Sequence, residues 1–173
     1  MSIHRRPADQ EFNPYYKPYI DKVEGLDFVT TLNHSLAKNL AKLQTLSETQ
    51  WNHKYAADKW TIKEVLIHIL DTERIFAYRA LRIARNDKTP LQGFEQNDYV
   101  HFYEVDSRSI ASLLEEYELV RRSTIALFKN MSKEMLDRMG TASGGQISVL
   151  ALGFMITGHE LHHWELLKDH YEV

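Results

Sequence analysis

Nine histidines occur in this chain of 173 residues, and four of them lie within the last fifteen positions. Two of the four, His159 and His163, are four residues apart, so on a helix both imidazoles leave the same face about one turn apart. Two imidazoles at this spacing can bind one cation. A third protein ligand would complete the kind of site that a catalytic zinc ion uses, with its fourth position open. The pair alone is a weak signal.

The third ligand is expected from a facing helix, and His68 is the candidate. It lies between Val65 and Ile69 on the flank of an apolar stripe, so it faces inward. A lone inward histidine is more often a neutral core residue that is satisfied by hydrogen bonds. A second helix that carries a His-x-x-x-His pair favours metal binding, because bundle cores take ligands from facing helices. The sequence therefore predicts one divalent metal ion on His68, His159 and His163.

Other polar residues near these histidines are harder to assign. The string HELH that begins at His159 resembles the zincin motif only in part, since its second histidine comes one position too early. Glu160 lies about 100° from His159 around the helix, where it is poorly placed to be a zincin base. His162 is not predicted as a ligand and either orients one or faces solvent. Glu73 has no assigned role, and Arg79 either contacts an anionic substrate group or is paired structurally. No general base can be named.

Composition limits the classes of protein that this chain can represent. Its hydrophobic fraction of 43% suits a folded core, and residues 1–173 are expected to form one domain. The net charge is -3, and Lys and Arg form no dominant block, so nucleic acid is not an expected partner. No apolar run is long enough to span a membrane. The chain has no cysteine, which excludes disulfides and thiolate ligands, and a cytoplasmic location is the simplest expectation.

The elements that must position the histidines are helices. Four segments have apolar residues at steps of three and four, which is typical of helices with one buried face. They are Asp27–Leu46, Thr61–Ala84, a third segment that begins after Asp106 and extends to Phe128, and Ser148–Tyr171. Thr61 and Glu64 form a capping box at the start of the second.

The remaining segments are predicted as connections. Met1–Gly25 is expected to be an extended lead-in, and Asn86–Val105 is long enough to cross from one end of a bundle to the other. Lys133–Arg138 is a short helical turn, Gly140–Gln146 is a loop, and no segment alternates with period two. The sequence thus predicts an all-α, antiparallel four-helix bundle with an extended N-terminal lead-in and a long crossover loop.

Three stretches resemble the DinB superfamily, and specifically its YfiT-like branch. They are KWTIKEVLIH at 59–68, DTERIFAYRALR at 71–82 and GHELHH at 158–163. The lead-in, KTPLQGF at 88–94 and GTA at 140–142 are similar to it as well, so the resemblance covers nearly the whole chain. The metal-binding histidines of that family fall on His68, His159 and His163.

The resemblance implies a metal site in a cleft of a four-helix bundle, with zinc or nickel as the usual ion, and often a homodimer. It implies a small-molecule substrate and leaves three functions open. One is hydrolysis by metal-activated water. A second is thiol-dependent transfer or isomerisation, in which a low-molecular-weight thiol such as bacillithiol is activated as thiolate. The third is metal binding without catalysis. Three neutral ligands would leave the ion its full charge, which suits both kinds of activation.

Overall fold

The computed structural model describes residues 5–171 and Val173, so the first four residues of the predicted lead-in lie outside the described part. Within that part the chain forms eight α-helices and one antiparallel sheet of two strands. The helices are α1 (Lys17–Asp21), α2 (Phe28–Leu43), α3 (Glu48–Trp51), α4 (Ile62–Ala84), α5 (Gln96–Phe102), α6 (Ile110–Lys129), α7 (Lys133–Asp137) and α8 (Val149–Tyr171), and the strands are β1 (Met139–Ala142) and β2 (Gly145–Ser148). The long helices α2, α4, α6 and α8 confirm the predicted four-helix bundle. Among the described residues, no helix is long and apolar enough to cross a membrane.

The directions of the four long helices follow from two apolar clusters, one at each end of the bundle. Both α2 and α4 pack against α6 and α8. One cluster contains the start of α2, the end of α4, the end of α6 and the start of α8, through Phe28, Ile83, Phe128 and Val149. The other contains the opposite ends, through Leu43, Val65, Leu113 and Leu167. Helices α2 and α8 therefore run one way and α4 and α6 the other, and the connection after α4 crosses the length of the bundle.

A layer of buried polar side chains separates the two apolar clusters. Each long helix contributes one member to it: Ser35, Glu73, Arg121 and Glu160. In sequence, each of them lies between residues of the two clusters. The histidines of α4 and α8 lie next to this layer, so the polar groups of the bundle are concentrated near its middle.

The lead-in is not simply extended as predicted, because it contains two 3-10 turns and the helix α1. The turns are Asp9–Glu11 and Pro14–Tyr16. Pro18 is tolerated in the first turn of α1, where a missing N–H breaks no hydrogen bond. Helix α1 packs against α8 at Gly158. A Cβ atom at Gly158 would lie 1.8 Å from the carbonyl oxygen of Tyr19, so this approach requires glycine.

The predicted loop Gly140–Gln146 is instead most of a β-hairpin, so that prediction was wrong for this segment. Strands β1 and β2 pair from Met139 with Ser148 to Ala142 with Gly145. Ser143 and Gly144 form the turn, and both have positive φ, 49° and 77°, as tight hairpin turns require. Strands of four residues are too short to show alternation in a sequence.

Two helix limits also differ from the predictions. Helix α2 ends at Leu43, and the buried Leu46 continues the apolar spacing into the turn that follows. Helix α6 begins after Ser109, whose hydroxyl accepts a hydrogen bond from the backbone N–H of Ser112, whereas Asp106 lies in a 3-10 turn.

Besides α1, two more short helices were not predicted, α3 and, inside the crossover, α5. Each has one buried residue, Trp51 in α3 and Val100 in α5, so neither shows an apolar stripe.

Candidate metal centre

Three histidines from two adjacent helices meet beside the polar layer. Helix α4 supplies His68, and α8 supplies His159 and His163 one turn apart. The Nε2 atom of His159 lies 2.9 Å from Nε2 of His68 and 3.1 Å from Nε2 of His163. Nitrogens bound to one tetrahedral zinc ion at about 2.0–2.1 Å would be about 3.4 Å apart, so both of these distances lie within about half an ångström of that value. The structure thus brings together the three residues that the sequence predicted as ligands.

Burial keeps these imidazoles in the neutral form that binds metals. The three residues are 3%, 7% and 8% exposed. Burial, with a smaller contribution from nearby histidines, lowers the pKa of His68 to about 4 and that of His163 to about 2. The same causes lower the pKa of His159 well below its usual value. If each neutral imidazole carries its proton on Nδ1, three Nε2 lone pairs face one another, and a cation among them would remove their repulsion. The donor set therefore fits a divalent ion.

Aromatic side chains pack against two of the three histidines. The Trp60 ring lies 4.9 Å from that of His68, and the Tyr19 ring lies 5.6 Å from that of His159. His162 is half-buried and packs edge-on against Tyr19, with 5.3 Å between ring centres. It does not belong to the group of histidines whose ring nitrogens converge. That His162 is not a ligand stays a prediction.

Two cavities reach the histidine cluster from different sides. The first, the Tyr19 cavity, has a volume of about 230 Å³ and is lined by His159, Thr72, Tyr15, Tyr16, Tyr19 and Phe76, among others. The second, the Trp60 cavity, has a volume of about 250 Å³, and its lining includes His163, Tyr55, Lys59 and Trp60. Small molecules could therefore approach the cluster along two routes.

A buried ionic network lies directly behind His159. Arg121 lies between two carboxylates and donates hydrogen bonds of 2.8 Å to Glu73 and to both oxygens of Glu160. Ser35 donates a 2.7 Å hydrogen bond to Glu160, and the hydroxyl of Tyr117 donates another. Glu160 is thus held by three partners and fixes the turn of α8 that carries His159.

The charges of this network explain why Glu160 is not available as a base. Burial alone would raise its pKa, but attraction to Arg121 and hydrogen bonds from Arg121, Tyr117 and Ser35 outweigh burial and lower it. Sequence reasoning missed the network, although Arg121 follows Tyr117 by one turn on the buried face of α6. The available signal was a charged residue on an apolar stripe in each of three helices.

Arg79 is engaged in structural contacts. It is 2% exposed, and it donates hydrogen bonds to the carbonyl oxygen of Gln92 at 2.7 Å and to the hydroxyl of Ser143 at 3.0 Å. Its guanidinium also lies over the rings of Phe76 and Phe94. Arg79 therefore ties the crossover and the hairpin to α4, which favours structural pairing over contact with an anionic substrate.

The fold of this chain is similar to those of several solved structures. The chain superposes on YfiT from Bacillus subtilis, described as a probable metal-dependent hydrolase with an unusual four-helix bundle topology. The TM-score is 0.71 at 14% identity, and the match covers 92% of this chain and 93% of YfiT. A DinB-like protein of Bacillus subtilis matches with a TM-score of 0.60 and 19% identity over 84% of this chain and 89% of that one.

A third structure, a mycothiol-dependent maleylpyruvate isomerase, gives a TM-score of 0.65 at 11% identity. That match covers 79% of this chain but 57% of the isomerase, so this chain spans little more than half of that enzyme. At these identities the three structures establish the fold alone. No curated protein sequence matches the chain. The sequence model of the DinB superfamily matches residues 31–167, which include all three converging histidines. The chain therefore belongs to the DinB superfamily.

Proposed function

We propose that this protein binds one divalent metal ion, zinc or nickel, at His68, His159 and His163, and that it hydrolyses a small molecule with metal-activated water. The observation that supports this proposal is the convergence of three buried Nε2 atoms beside the Tyr19 cavity. A divalent ion held by three neutral ligands would act as a Lewis acid and lower the pKa of a water molecule towards 7.

The protein groups around the site would each have a physical role. The three imidazoles bind the ion and, because burial keeps them neutral, they compete little with it for protons. Arg121 and Glu160 hold α8 in place, so that His159 keeps its orientation. Trp60 and Tyr19 pack against the rings of His68 and His159 and would limit access of bulk water. These groups bind and orient, and none of them is assigned as the base.

Thiol-dependent transfer is the second candidate, and the pair of cavities favours it. The Tyr19 cavity reaches His159 and the Trp60 cavity reaches His163, so two reactants could approach one ion from different sides. One of the structural neighbours is a thiol-dependent isomerase. In this alternative the ion would stabilise the thiolate of a low-molecular-weight thiol rather than activate water.

Turnover measurements on the metal-loaded protein separate these functions. The protein would be loaded with zinc or nickel and assayed with aryl esters and anilides in the absence of thiol. It would then be assayed with a chromogenic electrophile in the presence of a low-molecular-weight thiol. Hydrolysis without thiol supports the primary proposal, and thiol-dependent turnover supports the second.

The matched control for both assays is a pair of neighbouring histidines. His159→Ala should abolish turnover, and His162→Ala should retain it. Turnover that persists in His159→Ala, or after removal of the metal with a chelator, would contradict both catalytic proposals. A loaded protein that is inactive in every assay would leave metal binding as its function.

A further inference from the structure

Thr72 carries a polar group that the fold does not use. The residue is 3% exposed, and its hydroxyl makes no hydrogen bond with any group in residues 5–171 or Val173. A threonine inside a helix commonly bonds to the carbonyl oxygen four residues earlier, which here belongs to His68. The hydroxyl of Thr72 does not make that bond. Buried hydroxyl groups are nearly always paired, so this one needs an explanation.

The position of Thr72 points to a ligand as the missing partner. Thr72 lies one turn after His68 on α4, about 40° from it around the helix. It also lines the Tyr19 cavity together with His159. A molecule in that cavity would therefore contact both His159 and Thr72. The hydroxyl oxygen itself is covered, so a rotation of the Thr72 side chain about its Cα–Cβ bond would present it to the molecule.

The walls of the Tyr19 cavity indicate what kind of molecule would fit. Five aromatic rings line it, those of Tyr15, Tyr16, Tyr19, Phe76 and Phe94. Among the described lining residues, Glu95 is the one acidic side chain and no Lys or Arg is present. Such walls favour an apolar or aromatic body without negative charge, because they offer ring faces and no cation.

We propose that Thr72 is a substrate-binding residue, whose hydroxyl forms a hydrogen bond with the polar group that the metal activates, while the aromatic walls bind an uncharged aromatic or apolar body. This inference rests on the proposed metal site and specifies the class of its substrate. The effect of a substitution on stability distinguishes a binding role of Thr72 from a structural one. If the hydroxyl serves only to bind substrate, its removal should stabilise the fold and weaken ligand binding.

Binding of hydroxamates to the cobalt-loaded protein tests the role of Thr72 without knowledge of the substrate. Acetohydroxamate and benzohydroxamate share the metal-binding group and differ in their body, and cobalt(II) reports binding through its visible absorption. Loss of one hydrogen bond should make both probes bind about fivefold more weakly to Thr72→Val, whereas Thr72→Ser should bind them like the wild type. Thr72→Val should also melt about 2–4 °C higher.

The aromatic walls are tested by the ratio of the two affinities. In the wild type benzohydroxamate should bind about tenfold more tightly than acetohydroxamate, because its ring is removed from water. Tyr15→Ala should reduce that ratio, and Tyr15 is exposed enough for the fold to tolerate the change.

Three results would overturn these expectations. Unchanged hydroxamate binding by Thr72→Val would refute the role of Thr72 and leave the metal site intact. Lower stability of Thr72→Val together with weaker binding would show that Thr72 has a structural role instead. A wild-type protein that binds no cobalt would refute the proposed function and this inference together.

Discussion

Arg121→Met would remove the guanidinium from the centre of the bundle. After the change Glu160 would keep two donors, the hydroxyls of Ser35 and Tyr117. Glu73, which is 2% exposed, receives hydrogen bonds from Arg121 and, among the described residues, from no other side chain. The substitution therefore leaves one buried carboxylate without a donor and a second with fewer donors.

The free energy of unfolding should fall by about 3–5 kcal/mol, the range for breaking a buried ion pair on one side. Domains of this kind are typically stable by about 5–15 kcal/mol, so the variant should still fold at low temperature. Urea unfolding followed by circular dichroism measures the difference. Most of the loss should be recovered in the double variant Arg121→Met/Glu73→Met, because it no longer buries the unpaired Glu73 carboxylate.

The pH dependence of this loss has a defined sign. In the wild type the pKa of Glu160 is lowered by Arg121 against the opposing effect of burial, so its contribution to stability is present at neutral pH and is lost as pH falls. Without Arg121, burial should raise that pKa above the unfolded value. The carboxyl group would then favour folding at low pH, and its contribution would be lost as pH rises. The deficit of Arg121→Met should therefore be smaller at pH 4.5 than at pH 7.

The neighbouring residue provides the control for Arg121. Arg122 is exposed and pairs with Glu118 on the surface of the same helix, so Arg122→Met should change stability by about 0.5 kcal/mol or less. Equal effects of the two substitutions, or a double variant as unstable as Arg121→Met, would refute the reasoning about buried charge.

Three other features should respond to simple changes: the buried histidines, the glycine in α8 and the cap of α4. Below pH 6.5 the free energy of unfolding of the metal-free protein should fall by about 1.4 kcal/mol per pH unit for each of His68 and His163. Burial lowers their pKa values to about 4 and about 2, so the unfolded chain binds protons that the folded chain does not. Urea unfolding at pH 7, 6 and 5 measures this fall. Gly158→Ala should lower the melting temperature, since its Cβ would lie 1.8 Å from the carbonyl oxygen of Tyr19. Thr61→Ala should cost about 1 kcal/mol in urea unfolding through loss of the cap.

Each of these predictions has an outcome that would contradict it. Equal stability of the metal-free protein at pH 7 and pH 5 would mean that the buried histidines bind protons in the folded state as readily as in the unfolded chain. A higher melting temperature for Gly158→Ala would mean that helix propensity, about 1 kcal/mol in favour of alanine, outweighs the contact with α1. Thr61→Ser, which keeps the capping hydroxyl, should match the wild type, and a loss equal to that of Thr61→Ala would exclude the cap as the cause.

The positions of the three histidines could be inferred because the spacing of residues along a helix determines which face each side chain occupies. The spacing of His159 and His163 places them on one helix face, and the flank position of His68 turns it inward. Long helices with apolar stripes were predictable for the same reason. Neither inference required knowledge of which helix packs against which.

The groups around the histidines could not be inferred in this way, because they depend on contacts between distant segments. The pairing of Arg121 with Glu73 and Glu160 requires three helices to meet at the same level. The Thr72 hydroxyl is unpaired because none of the side chains and backbone groups packed around it accepts or donates a hydrogen bond, and those neighbours come from several segments. Tyr19 reaches the site only because Gly158, far along the sequence, lets α1 approach α8.

Metal content per chain, measured by elemental analysis on variants purified alike, tests the central claim most directly. The wild type should carry one divalent ion. His68→Ala, His159→Ala and His163→Ala should each lose most of it, because each removes one of three converging nitrogens. His162→Ala should keep the ion, since that ring packs on Tyr19 outside the cluster. A His162→Ala variant without metal, beside a fully loaded His163→Ala variant, would contradict the proposed site.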